Sequence, residues 1–245
     1  MNWKYLVGNS MVLVRDTLLA SRAFPLTNAV PFGQCWPYDV ARHLGSRRVR
    51  VVLDVGANVG QTALYLRRFF PGATIHSFEP IPATFALLQR RTHGLSGITP
   101  YQAAVTDRTG HVTMRIESCS ECSAVARSEN DGDTCRVPAV TVDEFFTTAG
   151  LTYIDILKVD VEGHEPAVLR GASRVLREGR VRCLFIEVGF EEGDKMHTPL
   201  AEVQAAVAPH GFVFSGLYDY WRYPDARYRV GIANALFWNR RFTAP

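Results

Sequence analysis

Val51-Val52-Leu53-Asp54-Val55-Gly56-Ala57-Asn58-Val59-Gly60 decides the fold. It begins inside a continuous apolar run, Val49 to Val55, which suits a parallel strand buried on both faces. The run stops at a glycine turn. Gln61 to Phe70 then takes helical spacing until Pro71-Gly72 ends it. Strand, glycine turn and helix in that order open a βαβ unit, and bare backbone at the turn admits a ligand.

The same rhythm continues outward. Thr74 to Phe78 and Ile98 to Val105 read as the second and third strands, with a helix over Pro82 to Arg91 between them. Ile154 to Val159 and Val181 to Val188 read as the fourth and fifth, separated by a helix over Glu165 to Leu176. Alternating strands and helices imply a parallel sheet with helices on both faces. After a helix over Leu200 to Ala208, Phe212 to Tyr218 and Ile232 to Trp238 form a terminal antiparallel pair, which completes seven strands. Residues 107–142 break the rhythm. His111 to Ile116 and Arg136 to Val142 predict an inserted hairpin or flap, followed by a helix capped by Thr141 or Asp143.

Size and composition bound the rest. The 245 residues divide into an N-terminal helical segment, 1–45, interrupted at Pro25, Pro31, Gly33 and Pro37, and an α/β domain, 46–245. A net charge of +3, scattered along the chain, does not argue for a nucleic-acid partner. No apolar run is long enough to span a membrane. Met1 to Ala20 reads as an amphipathic helix docked on the domain, with membrane-surface binding as the alternative. The five cysteines are an odd number, which argues against a disulfide framework. Cys119-Ser-Glu-Cys122 has only Cys135 nearby, too few ligands for structural zinc, so structural thiols in a reducing cytoplasm are expected.

The turn carries chemical information. Gly56-Ala57-Asn58-Val59-Gly60 has GxGxG-like spacing with Asn58 in the middle, not the GxGxxG dinucleotide fingerprint. Asp54 would repel a pyrophosphate at that place, but favours a cation such as a sulfonium. Glu79 ends the second strand, where a carboxylate suits the cis-diol of a ribose. Ligands of open α/β sheets sit beyond the carboxyl ends of the strands, where both acids lie. Gln102, Ala103, Ala104 and Val105 are candidates for the walls of an adenine pocket. The pattern favours S-adenosylmethionine, with a nicotinamide cofactor as the alternative.

Ile156-Leu157-Lys158-Val159-Asp160-Val161-Glu162-Gly163-His164-Glu165 brings further acids and a histidine to the same rim, and Leu184-Phe185-Ile186-Glu187 adds another. With Asp54-Val-Gly-Ala-Asn-Val-Gly60, Phe78-Glu79-Pro80 and Thr141-Val142-Asp143, these pieces resemble the FkbM family of S-adenosylmethionine-dependent methyltransferases. The likeness spans residues 50–188; segments 1–45 and 190–245 give no comparable match. It implies a Rossmann-like class I methyltransferase fold. It also implies O-methylation of a sugar, a polyketide or another small metabolite. It carries cofactor binding onto Asp54, Gly56, Ala57, Asn58, Gly60, Glu79, Pro80 and Asp160.

An alcohol must lose its proton during methyl transfer, so a positioned base contributes roughly 10²–10⁴-fold. His164 is the first candidate because its pKa lies near working pH, and Asp160 is the runner-up. Glu162 and Glu187 complete the catalytic rim. Asp160 and Glu187 are also candidate ligands for Mg²⁺, the alternative being that Glu187 binds substrate or pairs with Lys158 or an arginine. The polar insertion from Ser118 to Thr134 and the aromatic group Tyr218, Tyr220, Trp221 and Tyr223 are expected to frame a small-molecule or saccharide acceptor. Asp194 and His197 are weaker site candidates. A homodimer is compatible with the sequence but not indicated by it.

Overall fold

The computed structural model of the chain describes residues 14–20, 30–45, 48–116, 134–191, 193, 194, 196–222 and 229–242. The strands are β1 (Val51–Val55), β2 (Thr74–Phe78), β3 (Ile98–Tyr101), β4 (Ala104–Val105) and β5 (Gly110–Arg115). They continue with β6 (Thr134–Val140), β7 (Ile154–Val159), β8 (Val181–Gly189), β9 (Phe212–Trp221) and β10 (Ile232–Asn239). Seven of them form one sheet in the order β3-β2-β1-β7-β8-β10-β9. β10 runs antiparallel to β8 and β9, while the first five strands are parallel. Strand order reverses between β1 and β7, and that switch point is where a crevice opens in such sheets.

Helices cover both faces. They are α1 (residues 14–20), α2 (Trp36–Val40), α3 (Gln61–Phe69), α4 (Pro82–Thr92), α5 (Val142–Thr148), α6 (Glu165–Gly171), α7 (Ser173–Arg177) and α8 (Leu200–Val207). On one face Phe145, Val168, Leu176 and Val203 pack against Leu53, Leu157, Leu184 and Phe237. On the other, Trp36, Val40, Leu66 and Phe69 pack against Val52, Ile156, Phe185 and Leu236. Trp36 stacks on Phe185 with ring centroids 3.9 Å apart, so residues before position 46 share the core of the sheet. No helix among the described residues is long and apolar enough to cross a membrane.

The inserted hairpin is present: β5 pairs antiparallel with β6. The third strand is shorter than its apolar pattern predicts. It ends at Tyr101, and Ala104–Val105 turns away to pair with β6 in a separate three-stranded sheet. The single helix expected over Glu165 to Leu176 is two helices that meet at Ala172. Gly171 lies so close to the main chain of Thr106 that a Cβ there would stand 2.0 Å from its carbonyl oxygen. Residues 117–133, which include Cys119, Cys122 and most of the polar insertion, lie outside the described residues, as does Tyr223.

Thr141 is the cap of α5: its side chain accepts from the Glu144 N–H at 3.0 Å. Asp143 serves the next helix pair instead, accepting from Arg174 N and Val175 N at 2.9 Å each in the first turn of α7. Asp143→Ala strips both N–H groups of their acceptor and is expected to cost about 1–2 kcal/mol. Urea unfolding should show a lower midpoint with an unchanged slope; an unaltered midpoint would remove this role.

Candidate active site

The switch point is fastened by one side chain. Lys158 on β7 stands opposite Asp54 on β1, and both are buried. The Lys158 ammonium donates to Gly56 O at 2.8 Å and lies 3.4 Å from Asp54 Oδ1 and 3.2 Å from Asp160 Oδ2. Burial alone would favour the neutral amine. The carboxylates of Asp160 and Asp54 outweigh it and hold the lysine pKa above its ordinary value, so the ammonium stays charged.

Asp54 therefore does not face the cleft as its place before the turn suggested. It is fully buried, takes a long 3.5 Å contact from Ser77 Oγ, and shares its charge with Lys158. Gly56 is needed for an equally local reason. It has φ +76°, and a Cβ would fall 1.8 Å from the Asp160 carbonyl oxygen. The β1 turn and the β7 turn touch there, so the glycine serves chain-to-chain contact at least as much as ligand approach.

Above this contact lies a cleft of about 620 Å³. Its lining includes Glu79, Asn58, Pro80, Ala103, Ala104 and Val105. Both oxygens of Glu79 are held by main chain: Asn58 N donates at 3.1 Å and Ile81 N at 2.9 Å. Burial pushes the Glu79 carboxyl up to about 7, against the pull of those two N–H groups. Asn58 adopts φ +46°, and its Oδ1 is buried without a hydrogen-bond partner, so it accepts from a ligand donor at no loss. Besides Asp54, three of the cofactor candidates stand outside the lining. Ala57 is buried behind it with its N–H on Phe78 O, Gly60 precedes α3, and Gln102 is exposed.

The lining also includes Asp160, Glu162, His164, Glu187, Met196, His197 and Trp221. Glu162 and Gly163 both take positive φ, +53° and +83°, which folds the β7 turn sharply toward α6. Glu165 holds that turn from beneath. It is buried and accepts from Val161 N at 3.0 Å and Gly163 N at 3.3 Å. Its other oxygen accepts from Thr198, which ties the turn to the loop carrying His197. His164 Nε2 lies 2.8 Å from Thr106 Oγ1, and burial lowers the pKa of the ring. Burial, with Asp160, Glu162 and Glu165 nearby, pushes Glu187 up to about 9.

His197 is the residue that sequence reasoning underweighted. Its Nδ1 lies 2.7 Å from Asp194 Oδ2, and its Nε2 lies 3.6 Å from both Glu162 Oε2 and Glu187 Oε2. The signal available was the Asp-x-x-His spacing just past the fifth strand. The aromatic group divides. Trp221 lines the cleft, whereas Tyr218 is buried and donates to Asp39 Oδ2 at 2.9 Å. Asp160, half of the magnesium pair suggested by the strand ends, has its carboxylate on the Lys158 ammonium.

The glycine turn and the Lys158-to-Glu165 run, now joined through Lys158, fall within residues 54–214, which match the Methyltransferase FkbM domain model. The chain belongs to that family, and it is a methyltransferase. Among curated relatives, it is 30% identical over 194 residues to 31-O-demethyl-FK506 methyltransferase FkbM of Streptomyces tacrolimicus, covering 66% of this chain and 72% of the relative. It is 26% identical over 145 residues to hexuronic acid methyltransferase AglP of Haloferax volcanii, covering 59% of each. A solved chain of Listeria monocytogenes, provisionally assigned to the S-adenosylmethionine-dependent methyltransferases, superposes with a TM-score of 0.50 at 9% identity. It covers 83% of this chain and 97% of that one, which supports the class I fold.

Removing the fastening cation should be severe. Lys158→Met leaves Asp54 buried and uncompensated, an expected loss of roughly 3–5 kcal/mol by chemical denaturation. Adding Asp54→Asn should recover part of it. No recovery in the double variant would contradict the pairing.

Proposed function

We propose that the protein transfers a methyl group from S-adenosylmethionine to a hydroxyl of a sugar or glycan. The observation that carries the cofactor reading is Glu79: a buried carboxylate, fixed by two main-chain donors, at the cleft end beside the glycine turn. Its remaining lone pairs suit the two hydroxyls of a ribose. Asn58 Oδ1 offers a further acceptor, and the small side chains Ala103 and Ala104 leave room for a flat base. When bound, S-adenosylmethionine supplies an electrophilic methyl on a sulfonium.

The acceptor end supplies the proton chemistry. His164 lines the cleft, its ring is oriented by Thr106, and burial keeps it neutral, the form a base requires. Asp160, fixed by Lys158, lines the same cleft, where it orients donor and acceptor. The carboxyl groups of Glu162 and Glu187 and the exposed face of Trp221 suit a polyhydroxylated ring. The hexuronic acid methyltransferase among the relatives supports this reading. The second reading, a polyketide-type alcohol, draws support from the 30% identity to the FK506 methyltransferase. A panel of glycosides and macrolide alcohols with labelled methyl donor decides between them.

Calorimetric titration should show S-adenosylmethionine binding and no comparable NAD binding; tight NAD binding alone would end the proposal. Glu79→Gln should weaken cofactor binding. Wild-type affinity should rise by up to about tenfold from about pH 6 to about pH 8, as a carboxyl of pKa about 7 ionises and becomes a full acceptor. The unliganded fold responds oppositely. The Glu79 pKa is raised on folding from 4.5, so its contribution to stability is full below about pH 4.5 and is lost as pH rises through about 7. His164→Ala should retain cofactor affinity and lose roughly 10²–10⁴-fold in turnover; retained turnover would remove it as the base.

A further inference from the structure

We infer that Glu162, Glu187 and His197 form a divalent-cation site at the acceptor end of the cleft. One ligand atom from each lies within 4.8 Å of the others. Donors on opposite sides of an ion at about 2.1 Å are themselves about 4.2 Å apart, so the three can close on one ion with small side-chain adjustments.

The hydrogen bonding shows why a cation belongs there. Asp194 Oδ2 stands 2.7 Å from His197 Nδ1, and a carboxylate only accepts, so Nδ1 carries the proton. Nε2 then faces one carboxyl oxygen of Glu162 and one of Glu187, each 3.6 Å away. Those separations are too long for hydrogen bonds, and the three candidate ligand atoms surround a common space.

A second observation points the same way. Glu187 Oε2 is buried without a hydrogen-bond partner. Asn234, directly opposite Glu187 on the β8–β10 ladder, also has its Oδ1 buried without a partner. Two oxygens on one patch of the sheet therefore lack donors, a shortage that a cation and its bound water relieve. The Asp194–His197 contact is the outer-shell arrangement that orients a metal-binding imidazole and raises its basicity.

One imidazole with two carboxylates suits Mn²⁺ or Zn²⁺ better than Mg²⁺. Because all three residues line the cleft, the ion's open positions face the acceptor. They fit two neighbouring oxygens of a vicinal diol or a hydroxy acid. This acceptor role rests on the methyltransferase reading above; the metal binding does not.

The test uses the full-length protein, stripped of metal, and titrates Mn²⁺ by electron paramagnetic resonance with Zn²⁺ as competitor. One Mn²⁺ per chain is expected. His197→Ala and Glu187→Gln should abolish that stoichiometric binding, and Asp194→Asn should weaken it about 10–100-fold. Circular dichroism establishes that each variant is folded, and Asp194→Asn, which removes no ligand, guards against a folding artefact. Absence of stoichiometric Mn²⁺ and Zn²⁺ binding to the wild type would overturn the inference. So would equal binding by wild type and the folded variants. S-adenosylmethionine titration of the same samples separates the two claims: metal bound without cofactor sinks the proposed function alone, and cofactor bound without metal sinks the cation site alone.

Discussion

The ammonium of Lys158 is the contact on which the cleft depends. It stands at the reversal of strand order, where β1 and β7 run side by side. From there it reaches the Gly56 carbonyl and the carboxylates of Asp54 and Asp160. It therefore binds the turn leaving β1 to the turn leaving β7. Gly56 lets those turns meet, since any side chain would collide with the Asp160 carbonyl. Asp54 acts from below as the buried counter-charge that keeps the lysine ionised. The acid before the glycine turn is buried and lies outside the cleft lining.

With that floor fixed, the cleft lining holds two chemically distinct groups of residues. Glu79 and Asn58 offer fixed acceptors near small side chains. Glu162, Glu187 and His197 stand close together, and the high pKa of Glu187 reflects its burial and then the acids around it. Asp160 lines the same cleft with its charge partly met by Lys158.

Much of the fold was legible because its signals are local. Buried parallel strands write continuous apolar runs, and glycine and proline punctuate the ends of their helices. The inserted hairpin between His111 and Val142 was visible for the same reason. What the sequence hid was tertiary. The demand for glycine at position 171 comes from Thr106, far back in the chain, and that at position 56 comes from Asp160. Tyr218 read like an acceptor-facing aromatic but is occupied by Asp39. His197 sits in a loop with no periodicity, so its convergence with Glu162 and Glu187 required coordinates.

The central claim is that the glycine turn and Glu79 hold a nucleoside whose sulfur end points toward Asp160. A co-crystal structure with S-adenosylhomocysteine tests it most directly. The account requires the ribose hydroxyls on the Glu79 carboxylate, the base against Ala103 to Val105, and the sulfur on the Asp160 side of the cleft. A nucleoside bound elsewhere, or lying in this cleft with its ribose away from Glu79, would contradict it.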